Sequence, residues 1–197
     1  EGAMQEAHGR WARVAKPLGS LGALEKAVEH IAGIQGCAEV AFAPRCVAVM
    51  CADNGVVAEG VTQTGSEVTA LVARSIAEGT ANVNLMASVS HTDVFAVDMG
   101  MLRAVPGTID RRVACGTANI AWGPAMTRAQ AEQAVQAGID LVGERKARGY
   151  QIVATGEMGI GNTTASAAVA CALLGLSPEE ATGRGAGLSD AGLARKR

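Results

Sequence analysis

Past the break at Lys16-Pro17-Leu18-Gly19-Ser20, the apolar positions Leu21, Leu24, Val28, Ile31 and Ala32 recur at helical spacing, and the stretch from Ala3 to Gly36 is predicted to form two helices flanking that turn. From Arg45 to Ala52 the pattern changes to a continuous β-branched and apolar run. It stops at Asp53-Asn54-Gly55 and reads as a buried parallel strand rather than an alternating edge strand. Thr92 to Val97 repeats the pattern and stops at Asp98-Met99-Gly100. Gln151 to Thr155 repeats it again and stops at Gly156-Glu157-Met158-Gly159.

Helical patterns fill the intervals. Ser66 to Ala77 and Thr80 to Val89 join the first two strands, and a long helix starts at the capping signature Thr127-x-x-Gln130 and runs to about Arg148, where Gly149 stops it. Met101 to Pro124 is the least regular stretch and is expected to be a functional loop with a short strand or turn at Val113 to Ile120. Strands alternating with helices predict an α/β fold, with a parallel sheet and helices on its faces.

Composition narrows the picture. The 197 residues, 49% hydrophobic and 18% charged, suffice for one substantial core. Aromatic residues make up 3% and the net charge is -2, so neither the stacking platform nor the basic footprint of a nucleic-acid binder is present. Cys37, Cys46, Cys51, Cys115 and Cys171 form no CxxC pair and are expected to be reduced core cysteines. His8, His30 and His91 lie too far apart to form a zinc motif with them, and no metal or cofactor is expected. The longest apolar runs are too short for a membrane span, and the Glu1-Gly-Ala-Met-Gln-Glu start lacks a signal pattern, so a cytoplasmic protein is expected.

Ligands of open parallel sheets sit at the carboxyl ends of the strands. Asp53, Asp98 and Glu157 each end a predicted strand beside a glycine, and together they either face one crevice or cap the turns that follow. The sharpest element is Gly156-Glu-Met-Gly-Ile-Gly161-Asn162-Thr163-Thr164, between a strand and the small-residue helix Ala165 to Leu174. Its glycines free backbone amides for an anion, Thr163 or Thr164 can cap the helix, and the helix dipole favours a phosphate. Asn162 stands where a P-loop has its lysine, so a monophosphate suits the loop better than a nucleoside triphosphate. The glycines also suit close helix-to-sheet packing without a ligand. Beyond the capping box Ser177-Pro-Glu-Glu180, the turn Gly183-Arg-Gly-Ala-Gly187, flanked by Arg184 and Lys196, can complete an anion site.

Four blocks, in order, carry a resemblance: Lys16-Pro-Leu-Gly-Ser-Leu-Gly-Ala-Leu-Glu25, Ala52-Asp-Asn-Gly-Val-Val-Ala-Glu-Gly-Val61, Gly116-Thr-Ala-Asn-Ile120 with Gly123-Pro-Ala-Met-Thr127, and Gly156-Glu-Met-Gly-Ile-Gly-Asn-Thr-Thr164. They resemble the nicotinate-nucleotide:dimethylbenzimidazole phosphoribosyltransferases over essentially the whole chain. The resemblance implies a Rossmann-like parallel sheet over residues 41–197, a small helical domain to which residues 1–40 contribute, and a homodimer. It implies transfer of the phosphoribosyl group of nicotinate mononucleotide to 5,6-dimethylbenzimidazole, giving α-ribazole 5′-phosphate and nicotinate in assembly of the cobalamin lower ligand.

The same resemblance assigns phosphate contacts to Gly159, Ile160, Gly161, Asn162, Thr163 and Lys196. It places Glu157 beside the reacting rings as the catalytic acidic residue, and Thr64 and Val72 in the aromatic-base pocket. The family's more usual Ala-Asp-His-Gly is Ala-Asp-Asn-Gly here, with Asn54 in place of the histidine, and a common proline is missing near Gly65. A related transferase using another base or a phenolic acceptor, and a catalytically silent nucleotide-binding domain, are the alternatives. The family continues into a second half with a Gly-Glu-Gly-Thr-Gly type motif, whose glutamate is the expected general base. The α/β domain is therefore expected to be incomplete at Arg197.

Overall fold

A computed structural model describes residues 1–197, which divide into two units, Glu1–Ala43 and Pro44–Arg197. The first unit is a helix pair, α1 (Gly2–Arg13) and α2 (Ala23–Gln35), with Ala7 and Ala32 buried. The helices meet closely at Gly33, where an added Cβ would lie 2.6 Å from Met4 Cγ. His8 to Glu29 at 2.9 Å and Lys16 to Glu25 at 2.6 Å tie the pair together, and Lys16 lies over the Trp11 ring.

The second unit runs β1 (Arg45–Ala52), a 3-10 turn (Gly55–Glu59), α3 (Glu67–Ala77), α4 (Asn82–Val89), β2 (Asp93–Gly100), β3 (Ile109–Asp110), α5 (Arg128–Ala147), β4 (Ile152–Met158), α6 (Asn162–Leu174), α7 (Pro178–Ala181) and α8 (Asp190–Lys196). Its four strands pair in the order β3-β2-β1-β4, all parallel, giving an α/β fold with a Rossmann-like sheet.

The two faces of β1 follow from side-chain alternation along a strand. Val49 and Cys51 join Ala96 under Ala73 and Ile76 of α3, whereas Ala48 and the half-buried Met50 join Val97 under Leu141 of α5. Each helix thus closes one face over a strand whose residues are apolar on both, which is why β1 reads as an unbroken hydrophobic run.

Several expectations are corrected. Of the short strand or turn expected at Val113 to Ile120 the structure has the turn, an irregular segment held by Val113 N–H to Met99 O and Gly116 N–H to Gly100 O, and regular pairing beyond β2 comes at Ile109–Asp110 instead. The third expected strand does not stop at Thr155. Its ladder with β1 continues through Met50 opposite Glu157 and Cys51 opposite Met158, so Glu157 is a strand residue. Among the four strands of this chain it stands last in the order, next to β1, with Ala154 and Thr155 exposed. Among the cysteines only Cys46 and Cys51 are buried; Cys37 and Cys115 are exposed and Cys171 is intermediate. Burial pushes the Cys51 thiol up to about 11, which keeps it protonated and inert. No helix is long and apolar enough to cross a membrane.

Candidate functional site

The chain leaves β4 at Met158 and turns through Gly159-Ile160-Gly161 into α6. Gly159 is pressed against the end of β1, where an added Cβ would lie 2.3 Å from the Ala52 carbonyl oxygen, so only glycine fits. Gly161 caps α6 with φ 89° and ψ -5°. This left-handed conformation costs glycine nothing and strains other residues. Thr163 and Thr164 lie inside α6, and neither caps it, because the helix begins at Asn162 and no side chain makes its capping bond.

The loop lines a cavity of about 190 Å³ with Thr62, Gln63, Thr64 and the turn Arg184–Ala186. Lys196 closes it from α8. Its ammonium donates to Thr163 Oγ1 at 2.7 Å and to the Gly183 carbonyl at 3.1 Å. Lys196 is 8% exposed and forms no ion pair, and burial holds its pKa below the ordinary lysine value. With two of three ammonium protons placed, one donor and a full positive charge remain uncompensated. The amides of Gly161 and Thr163 likewise make no hydrogen bond within the chain. A buried cation beside free amides at the start of a 13-residue helix is an arrangement suited to an anion.

Glu157 sits at the rim, exposed to solvent. Partial removal of water by the surrounding protein raises its carboxyl above the ordinary value, and a hydrogen bond from Asn162 Nδ2 opposes that rise. The Asn162 side chain is therefore turned to Glu157 rather than left free for a ligand.

The structure gathers Glu157, Gly159, Ile160, Gly161, Asn162, Thr163, Lys196 and Thr64 around this loop, but not the other expected residues. Val72, on α3, packs among the core residues around Val49 and Ile76. Asp98 is consumed internally, its Oδ1 accepting from the Gly100 and Met101 amides and its Oδ2 paired with Arg112 at 2.6 Å. Asp53, 3% exposed, accepts from the Leu102 amide at 2.7 Å and shapes the same strand-end loops. Of the three strand-end carboxylates, Asp98 caps the turn after its own strand, Asp53 reaches across to the loop after β2 with its Oδ1 buried and without a partner, and only Glu157 is exposed. Arg184, expected to complete the anion site, is spent on the Leu188 carbonyl and on Asp190.

Two residues take roles that the sequence did not assign them. Asn54 Nδ2 donates to the Ile160 carbonyl at 3.0 Å, and Thr69 Oγ1 accepts from the Ile160 amide at 3.1 Å. Thr69 falls with Ala73 and Ile76 on the buried stripe of α3, and a hydroxyl in an apolar stripe is the signal that marks it. A wider hollow of about 560 Å³, between Met99, Val113, Ala125 and Met126, contains none of the expected residues. No group of three or more His, Cys, Asp or Glu side chains is arranged to hold a metal ion.

A family model described as phosphoribosyltransferase matches residues 1–197. The chain belongs to this phosphoribosyltransferase family. It is 44% identical to the nicotinate-nucleotide–dimethylbenzimidazole phosphoribosyltransferase of Ruminiclostridium cellulolyticum, over 98% of this chain and 55% of that relative. It is 43% identical to the enzyme of the same name from Geobacter metallireducens, over 99% of this chain and 56% of the relative. The crystal structure of CobT from Thermus thermophilus superposes with a TM-score of 0.91 at 41% identity, covering 100% of this chain and 60% of that one. The chain spans about half the length of the curated relatives it matches.

Proposed function

We propose that the glycine loop and Lys196 hold the phosphate of nicotinate mononucleotide, and that the chain contributes this grip to transfer of the phosphoribosyl group to 5,6-dimethylbenzimidazole. A nitrogen of the benzimidazole forms the new bond to the anomeric carbon, the bond to the pyridinium nitrogen breaks, and α-ribazole 5′-phosphate and nicotinate result. The benzimidazole's other ring nitrogen gives up its proton to a base. The pyridinium is already a good leaving group, so the protein's work is to anchor the phosphate, align the two rings and receive that proton.

The observation that carries the reading is Lys196, buried at the loop without a counter-ion. A phosphate there takes the spare ammonium proton and the Gly161 and Thr163 amides, converting a costly buried charge into a charge-assisted network. Glu157, at the rim, is the carboxylate suited to the rings rather than to the phosphate, since an anion would repel it. Thr64 lines the same cavity and is the residue available to the acceptor base. On the resemblance, a homodimer accompanies this function.

Calorimetric titration with nicotinate mononucleotide and with its dephosphorylated nucleoside tests the grip. Binding of the nucleotide and not of the nucleoside is expected; equal affinities would remove the phosphate site. Product analysis with 5,6-dimethylbenzimidazole and a phenol side by side identifies the acceptor.

A further inference from the structure

We infer that Asn54 and Thr69 are positioning residues of the phosphate loop, holding the Ile160 peptide at both ends so that the Gly161 and Thr163 amides, and not that of Ile160, are the ones presented to the anion. The inference rests on reading the loop as a phosphate cradle, and it alters that cradle: Ile160 serves it as an anchored peptide and not as a donor.

A loop of the form Gly-Ile-Gly has two residues with wide conformational freedom, and ordering it around a ligand costs entropy unless the chain is already fixed. The Ile160 peptides are fixed from two elements. Thr69, on α3 and completely buried, takes the Ile160 N–H at 3.1 Å. Asn54, in the turn after β1, gives its Nδ2 hydrogen to the Ile160 carbonyl at 3.0 Å.

Asn54 also touches both flanking glycines. Its Nδ2 lies 3.1 Å from the point where a Cβ on Gly159 would sit, and its Cβ 3.2 Å from the corresponding point on Gly161. One side chain therefore spans the whole turn. Within residues 160–163, Ile160 N–H is committed to Thr69 and Asn162 N–H to the Gly159 carbonyl, which leaves the amides of Gly161 and Thr163, and Thr163 is the residue whose hydroxyl accepts from Lys196. The clamp thus determines which amides remain for the ligand and keeps them beside the ammonium. A histidine ring in place of Asn54 can also donate to a carbonyl, so the role survives the family's more usual residue at this position.

The test combines amide hydrogen exchange followed by NMR with calorimetric titration of inorganic phosphate, on the wild-type chain and on Thr69→Val, Asn54→Ala, Asn54→His and Lys196→Met. Thr69→Val removes the acceptor at constant shape and should speed exchange of the Ile160 amide while leaving that of Ala96 and Val97 in the sheet unchanged. Phosphate affinity should fall about 5- to 10-fold in Thr69→Val and in Asn54→Ala, the loss of one hydrogen bond each, and Asn54→His should restore most of it. Should Thr69→Val fail to fold, Asn54, on the partly exposed turn, carries the test with its histidine rescue. If the wild-type chain binds no phosphate, the cradle itself falls and the positioning role with it. If Lys196→Met loses phosphate while Thr69→Val and Asn54→Ala bind as the wild type does, the cradle stands and the positioning role is overturned.

Discussion

Lys196 donates to Thr163 Oγ1 across 2.7 Å, joining the end of the last helix to the first turn of α6 over a separation of 33 residues. The bond places a buried ammonium at the one helix start in the chain that follows a glycine loop on a strand end. Lys196→Met should therefore weaken binding of inorganic phosphate about 10- to 100-fold, the loss of a charged hydrogen bond. Burial lowers the pKa of this group in the folded state, so the folded protein releases the proton first. Stability then rises with pH between that lowered value and 10.5, and at neutral pH the charge is a cost. The methionine variant should accordingly melt at or above the wild-type temperature at pH 7. Phosphate binding to the wild type should begin to fade at a pH below 10.5, as Lys196 loses its charge. A methionine variant that binds phosphate normally would remove Lys196 from the site.

Glu157 titrates with the opposite consequence. Its folded-state pKa is raised above 4.5 by partial burial, so its contribution to stability is fully present below pH 4.5 and is lost as pH rises through the raised value. Melting temperatures measured from pH 4 to pH 7 should show Glu157→Gln gaining on the wild type across that window. Phosphate affinity should be unchanged in the variant, while turnover in an assembled enzyme falls, because the carboxylate sits at the rim. A drop in phosphate affinity matching the drop in turnover would place Glu157 on the anion instead.

Gly161 is held at φ 89° with Val57 and Asn54 within 3.1 and 3.2 Å of an added Cβ. Gly161→Val combines left-handed strain for a β-branched residue with crowding, and should cost about 2–4 kcal/mol in urea unfolding and abolish phosphate binding in the folded fraction. Retained affinity in a folded variant would show that the Gly161 amide does not face the anion.

The strands of the sheet were legible because a parallel strand covered on both faces needs apolar residues at every position, as Cys46 to Cys51 supply. β4 carries the same kind of run from Gln151 to Thr155. Its extension to Met158 was hidden by Gly156, which reads as a break but packs against Val49. In the site, the glycine loop is local in sequence and announces itself, and Lys196 was offered both by the second glycine turn and by the resemblance. Asn54 and Thr69 act on the loop from 106 and 91 residues away through backbone atoms, and no spacing in the sequence reports such a bond. The strand-end aspartates stayed open between two readings for the converse reason. A carboxylate after a strand looks the same whether it meets a ligand or the amides of its own turn.

Asp98 makes that distinction measurable. Its Oδ1 accepts from Gly100 N at 3.0 Å and Met101 N at 2.8 Å, and its Oδ2 holds Arg112, whose guanidinium is stabilised by the contact and pushed above its ordinary value. The bonds fold the chain back at the end of β2 and leave the carboxylate 2% exposed, with no oxygen turned to a ligand. Asp98→Ala strands two amides and one guanidinium, and should lower stability by about 2–4 kcal/mol, less than for a fully buried pair because Arg112 keeps partial contact with water. Asp98→Asn keeps an acceptor for the amides and should recover part of that loss. In both variants the folded fraction should bind phosphate as the wild type does, because none of these bonds reaches the glycine loop. Urea unfolding and phosphate titration on the same samples separate the two roles: reduced affinity with unchanged stability would return Asp98 to the site, and reduced stability with unchanged affinity fixes it as the residue that shapes the end of β2.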